Sequence, residues 1–79
     1  MSDRLVLVFM PSLVSLLARH EQDKGTPLTE DEVIAIRDQA RVVWVHEHVR
    51  IEITRERGYD DIDPKHCWSE WQRVRTSLM

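Results

Sequence analysis

Apolar positions along this chain change their spacing from segment to segment, and each spacing predicts a different element. Residues 4 to 10 are almost wholly apolar, with Leu5, Val6, Leu7, Val8, Phe9 and Met10 in succession. A run this short cannot be divided between strand and buried helix by periodicity. Pro11 decides part of it. Proline is at home in a first helical turn and biases the residue before it toward extended backbone. The pattern therefore predicts an extended segment over 4–10 and a helix opening at Pro11. Leu13, Leu16, Leu17 and His20 then fall on one side of that helix, with Val14 beside them. Arg19, Glu21, Gln22, Asp23 and Lys24 carry it into water. Gly25 stops it and Pro27 prevents its resumption.

The next helix has the clearest start signal in the chain. Thr29-Glu30-Asp31-Glu32 is a capping box: Thr29 can accept from the Glu32 N–H, and the Glu32 carboxylate can reach back to the Thr29 N–H. Leu28 and Val33 occupy the hydrophobic-staple positions. Val33, Ile36, Ala40 and Val43 continue as a helical stripe, widened by Ile34. Beyond Arg41 the pattern loosens. Val42, Val43, Trp44 and Val45 are consecutive and apolar, and Val49, Ile51 and Ile53 then alternate with polar residues. No glycine or proline interrupts residues 29 to 57. A single helix of that length would be long for so small a domain. Two helices are expected, about 30–41 and 47–57, with a bend around Trp44 to His46. The alternative is an extended piece near 42–46 or 49–54, where β-branched residues cluster.

Gly58 suits the left-handed position after a helix, and Arg55 and Arg57 suit the negative end before it. Asp63-Pro64 reads as the N-cap and first residue of a final helix. There Cys67, Trp71, Val74 and Leu78 share one face, with Trp68 beside them. The expected architecture is all-α: one domain, residues 1–79, a small bundle of three to four helices with an extended N-terminal segment.

Composition narrows the function classes. Of 79 residues, 14 are acidic and 11 basic, for a net charge of −3. Phosphate-driven nucleic-acid binding needs the opposite sign, so no nucleic-acid partner is expected. Acids and bases are interleaved rather than segregated, unlike a disordered acidic tail. A core this small gives marginal stability. One cysteine allows no internal disulfide, which points to association as the stabilising route and fits a reducing, cytoplasmic setting. The N-terminal apolar run is like a signal segment, but Asp3, the break at Pro11 and the lack of a small-x-small site argue against one. It is also too short to span a bilayer.

Candidate chemistry is thin. Asp60, Asp61 and Asp63 lack the alternation, glycine and terminal glutamate of an EF-hand loop, so a capped, solvated corner is favoured, with Asp60 or Asp61 paired to a nearby arginine. His46, His48, His66 and Cys67 lack zinc-site spacing, and the HExxH motif begun at His46-Glu47 fails because residue 50 is Arg. Cys67 lies in a first helical turn, but adjacent His66 points away on a helix, so cysteine catalysis is disfavoured. Arg37-Asp38 reads as a solvated face, with pairing to Asp61 or Arg73 as the alternative. No enzyme activity, metal or cofactor is expected.

The tryptophans carry more. Trp68 and Trp71 are helical neighbours with Arg73 and Arg75 close by, and Trp and Arg are enriched at interface hot spots. Trp71 shares the apolar face and is assigned to the core as well as to the candidate surface. Trp68 is divided between core edge and interface. Trp44 belongs to the core or to a self-association surface. The candidate partner-binding set is Trp68, Trp71, Arg73, Arg75, Tyr59 and Trp44. The partner would be another protein or a second copy of the chain.

Leu28-Thr29-Glu30-Asp31-Glu32-Val33 with Ile36-Arg37-Asp38, then Arg57-Gly58-Tyr59-Asp60-Asp61-Ile62-Asp63-Pro64 and Trp68-Ser69-Glu70-Trp71-Gln72, resembles a family of small uncharacterised bacterial proteins. The resemblance runs from about residue 5 to residue 76. Members often have a proline-containing break where this chain has Val45 to His48. The family is similar to accessory or co-chaperone proteins of type VI secretion effector loading, and that similarity implies a chaperone or effector as partner. It supplies no catalytic residue. An immunity protein that occludes a toxin is the alternative, and a small metal- or cysteine-dependent enzyme is the alternative of another class.

Overall fold

The computed structural model describes residues 4–78, with side chains through Ser77. Asp3 and the Leu78 side chain, both used in the sequence reading, lie outside the described residues. Strand β1 (Leu5–Phe9) is followed by helices α1 (Leu13–Lys24) and α2 (Glu30–Gln39), strand β2 (Val42–His46), helix α3 (Glu47–Arg57), a 3-10 turn (Pro64–His66) and helix α4 (Cys67–Leu78). The two strands pair antiparallel, with Leu5 opposite His46, Leu7 opposite Trp44 and Phe9 opposite Val42. The fold is therefore mixed α/β, four helices with a two-stranded sheet, and not the all-α bundle that the pattern predicts.

The correction has a physical cause. Five consecutive extended residues at 5–9 expose a row of backbone N–H and C=O groups that need partners. The Val42-Val43-Trp44-Val45 run is β-branched and aromatic, so it fits a pleated surface better than a helix. Pairing the two satisfies both. α2 then ends by turning extended at Ala40, ψ 146°, with no glycine to announce it. The ladder is extended at one end by the Met10 N–H donating to the Arg41 carbonyl, 3.1 Å. At the other end the Glu47 N–H, first of α3, donates to the Arg4 carbonyl, 2.8 Å. The expected bend at Trp44 to His46 is thus a strand, and α3 folds back against it.

Other signals act where they stand. α1 opens two residues later than expected, at Leu13, with Ser12 as N-cap and Pro11 ahead of it. Gly25 and Gly58 take left-handed backbone, φ 81° and 80°, as the residues that close α1 and α3. Asp63 caps the 3-10 turn by accepting from the Lys65 N–H, 2.9 Å, and the Asp63 N–H donates to Glu70. This short turn stands between Pro64 and the α-helix, so Cys67 opens α4 proper.

The Thr29–Glu32 capping box is fully formed. The Lys24 ammonium, hydrogen-bonded to the same Glu32 carboxylate, holds that group below its ordinary pKa of 4.5, and the Thr29 N–H adds to this. A depressed folded-state pKa contributes stability above the unfolded value and loses it as pH falls through the folded one. Glu32→Gln should therefore flatten the loss of Tm between about pH 5 and pH 3 relative to the parent chain. Parallel melting curves for the two proteins across that range would contradict the assignment.

The core lies among α1, α2 and α4. Phe9, Leu13, Leu17, Leu28, Val33, Ile62, Cys67 and Trp71 form one buried cluster. β1, β2 and α3 extend beyond it, and no residue of α3 is fully buried. The extents are 46 × 23 × 19 Å and the radius of gyration is 13.2 Å. A compact chain of this length would have about 12 Å. The molecule is thus a helical body carrying a β1–β2–α3 arm.

Candidate functional site

Pairing in register sorts the strand side chains onto two faces. Val6, Val8, Val43 and Val45 lie on the covered face. Leu5, Leu7, Phe9, Val42, Trp44 and His46 lie on the other. Phe9 reaches the core, but beyond it the face is open. Leu5 is 56% exposed, Leu7 49% and Trp44 65%. Trp44 is the most exposed large hydrophobic residue described, directly opposite Leu7. An apolar surface with an exposed indole at its centre is unfavourable in water and marks a contact surface.

The other candidate partner-binding residues do not join it. Trp71 is 1% exposed and sits in the core. Trp68 is half-buried and packs against that core. Arg75 donates from Nε to Glu21 at 3.1 Å, both side chains being mostly buried, and Glu21 also accepts from the Leu28 N–H. Arg75 therefore ties α4 to α1 and to the loop before α2. Arg73 is exposed. Tyr59 is exposed at its ring while its hydroxyl shares a 2.8 Å hydrogen bond with Ser12. Of the six, Trp44 alone lies on the open sheet face. The pairing that displays it rests on a contact between residues nearly forty positions apart, which no local spacing records.

The acidic corner has a structural task. Asp61 accepts from the Leu13 N–H at 2.8 Å through Oδ2, and from the Val14 N–H at 3.0 Å through Oδ1. Ser12 Oγ accepts from the Ser15 N–H, and the Ser12 carbonyl from the Leu16 N–H. The Leu13, Val14 and Ser15 N–H groups, orphan donors of the first turn of α1, are thus satisfied, and the Leu16 N–H makes the first intrahelical bond. Arg57 lies 3.9 Å from Asp61 and donates to the Phe9 carbonyl at 2.7 Å, which locks the end of α3 to the end of β1.

Arg37 is not a free solvated charge. It pairs with Asp38 and donates to the Pro64 carbonyl at 3.0 Å, with Cys67 Sγ 3.7 Å away. His46 and His48 stack with ring centroids 5.8 Å apart. Among the described residues, no three His, Cys, Asp or Glu side chains converge as a metal site, and no helix is long and apolar enough to cross a membrane. An open hollow of about 640 Å³ lies between the end of α1, Gly25 to Pro27, and α4. Its charged groups, Glu21 and Arg75, are already spent on each other.

No family model, curated protein or solved structure matches the chain.

Proposed function

We propose that this chain is a non-enzymatic protein-binding module that docks its partner on the open face of the β1–β2 sheet. The observation that carries it is Trp44, exposed at the centre of a face shared with Leu5 and Leu7. Trp is the residue type most enriched where a few side chains supply most of the binding energy. The arrangement suits that use. α3 and the two strands hold the indole on regular backbone, so little conformational entropy is lost on docking. Trp68 and Arg75, by contrast, help hold the body together.

That the partner belongs to toxin delivery, as an effector or chaperone, rests on the Gly58–Pro64 and Trp68–Gln72 resemblance alone. Co-purification of a secretion effector or its chaperone with this chain would support it, whereas neutralisation of a neighbouring gene's toxic product would favour the immunity reading.

The docking role is tested by affinity capture with tagged chain, comparing the parent protein with Trp44→Ala and Leu7→Ala. Trp44→Ala is expected to weaken binding of a captured partner by about 2 kcal/mol or more while leaving the melting temperature of the dilute chain nearly unchanged. Equal capture by all three proteins would refute the surface.

A further inference from the structure

We infer that the open sheet face is covered by a second copy of this chain, packed face to face about a two-fold axis that lies between the two sheets, over the Leu7–Trp44 pair. This rests on the docking role proposed above and names the occupant.

The first support is area. From their exposures, Leu5, Leu7, Val42, Trp44 and His46 leave roughly 500 Å² of mainly apolar surface per copy, or about 1,000 Å² when two copies cover one another. That reaches the lower bound of specific interfaces before any rim residue is counted. The second support is self-complementarity. The register centres the face on Leu7 opposite Trp44. A copy turned about an axis parallel to the sheet, over that centre, sets the same residues opposite one another, as an isologous interface requires. Two such sheets about 10 Å apart would interdigitate as a small sandwich. The third support is charge. No Asp, Glu, Lys or Arg lies within the face. Formal charges stand at its rim, at Arg41, at the Arg4–Glu47 pair, and at Arg50 and Arg57 beside Leu7 and Phe9. Two copies of a chain with net charge −3 can therefore meet here without burying like charges.

The test is light scattering and sedimentation of the purified chain from about 1 to 200 μM, a range that brackets weak to moderate self-association. A monomer–dimer equilibrium is expected, with a melting temperature that rises with protein concentration. A residue at the centre of an isologous interface acts twice, so Trp44→Ala should raise the dimer Kd by about 1,000-fold. Leu7→Glu should give a folded monomer by circular dichroism. Should Leu7→Glu fail to fold, Trp44→Ala decides, since its side chain is mostly in solvent. Hydrogen exchange distinguishes the geometry: the outward amides of β1 should exchange as fast in the dimer as in the Trp44→Ala monomer. A chain that stays monomeric throughout overturns the second copy as occupant and leaves the docking role to the capture experiment. A dimer indifferent to both substitutions joins through another surface, which likewise overturns the second copy as occupant of this face. Protected outward amides or open-ended assemblies mean edge-to-edge strand pairing, and overturn the face-to-face arrangement.

Discussion

Trp71→Ala is expected to destabilise the fold by about 3–5 kcal/mol, the cost of emptying a large aromatic site in a closed core. Trp71 is the largest of the fully buried side chains and shares the cluster with Leu13, Leu17 and Val33, which bind α1 and α2 to α4. Domains of this size have only about 5–10 kcal/mol in hand, so most of the stability is at stake. Trp71→Phe is the informative companion. The indole Nε1 is buried and has no acceptor among the described residues. An unsatisfied buried donor costs about 1–3 kcal/mol. Phenylalanine removes that donor while keeping much of the apolar contact, so the two effects offset and a net loss of about 1 kcal/mol or less is expected. Urea denaturation of the three proteins measures both. A Trp71→Phe loss as large as that of Trp71→Ala would mean that the indole N–H is hydrogen-bonded in solution.

Asp61→Ala should cost about 2–3 kcal/mol, more than an ordinary cap, because three backbone donors lose a charged acceptor together. Leu13 and Val14 at the start of α1 would lose their partners, as would the Ile62 N–H, 2.8 Å from Oδ1. Arg57 would lose its nearby carboxylate. Asp61→Asn keeps an acceptor but not the charge that suits a helix N-terminus, and should fall between the parent and Asp61→Ala. Asp60→Ala, at an exposed neighbouring position, is the control and should stay within about 0.5 kcal/mol. If Asp60→Ala and Asp61→Ala destabilise equally, the corner acts through its overall charge and not through the cap.

These two sites show what local pattern can and cannot carry. Trp71 is legible because Cys67, Trp71 and Val74 recur at helical spacing, and that spacing implies one buried face whatever it packs against. Asp61 is legible only as a corner acid near an arginine. Its bonds to Leu13 and Val14 cross nearly fifty residues, so nothing in the neighbouring sequence records them. The same holds for Arg75, whose partner Glu21 lies in another helix. It holds also for Trp44, whose exposure depends on which strand Val42–His46 meets.

Features whose physics is local follow from the order of residues alone. The Thr29–Glu32 box starts α2, Gly25 and Gly58 end α1 and α3, and Asp63-Pro64 opens the turn into α4. Each acts through neighbouring backbone groups, within one helical turn. The state of Val42–His46 depends instead on a contact across the fold. That run is apolar on every side, so its periodicity is silent. A strand became preferable only because Leu5–Phe9 was there to pair with it across the fold. From that one pairing follow the mixed architecture, the arm beyond the helical body, and the open face on which Trp44 stands.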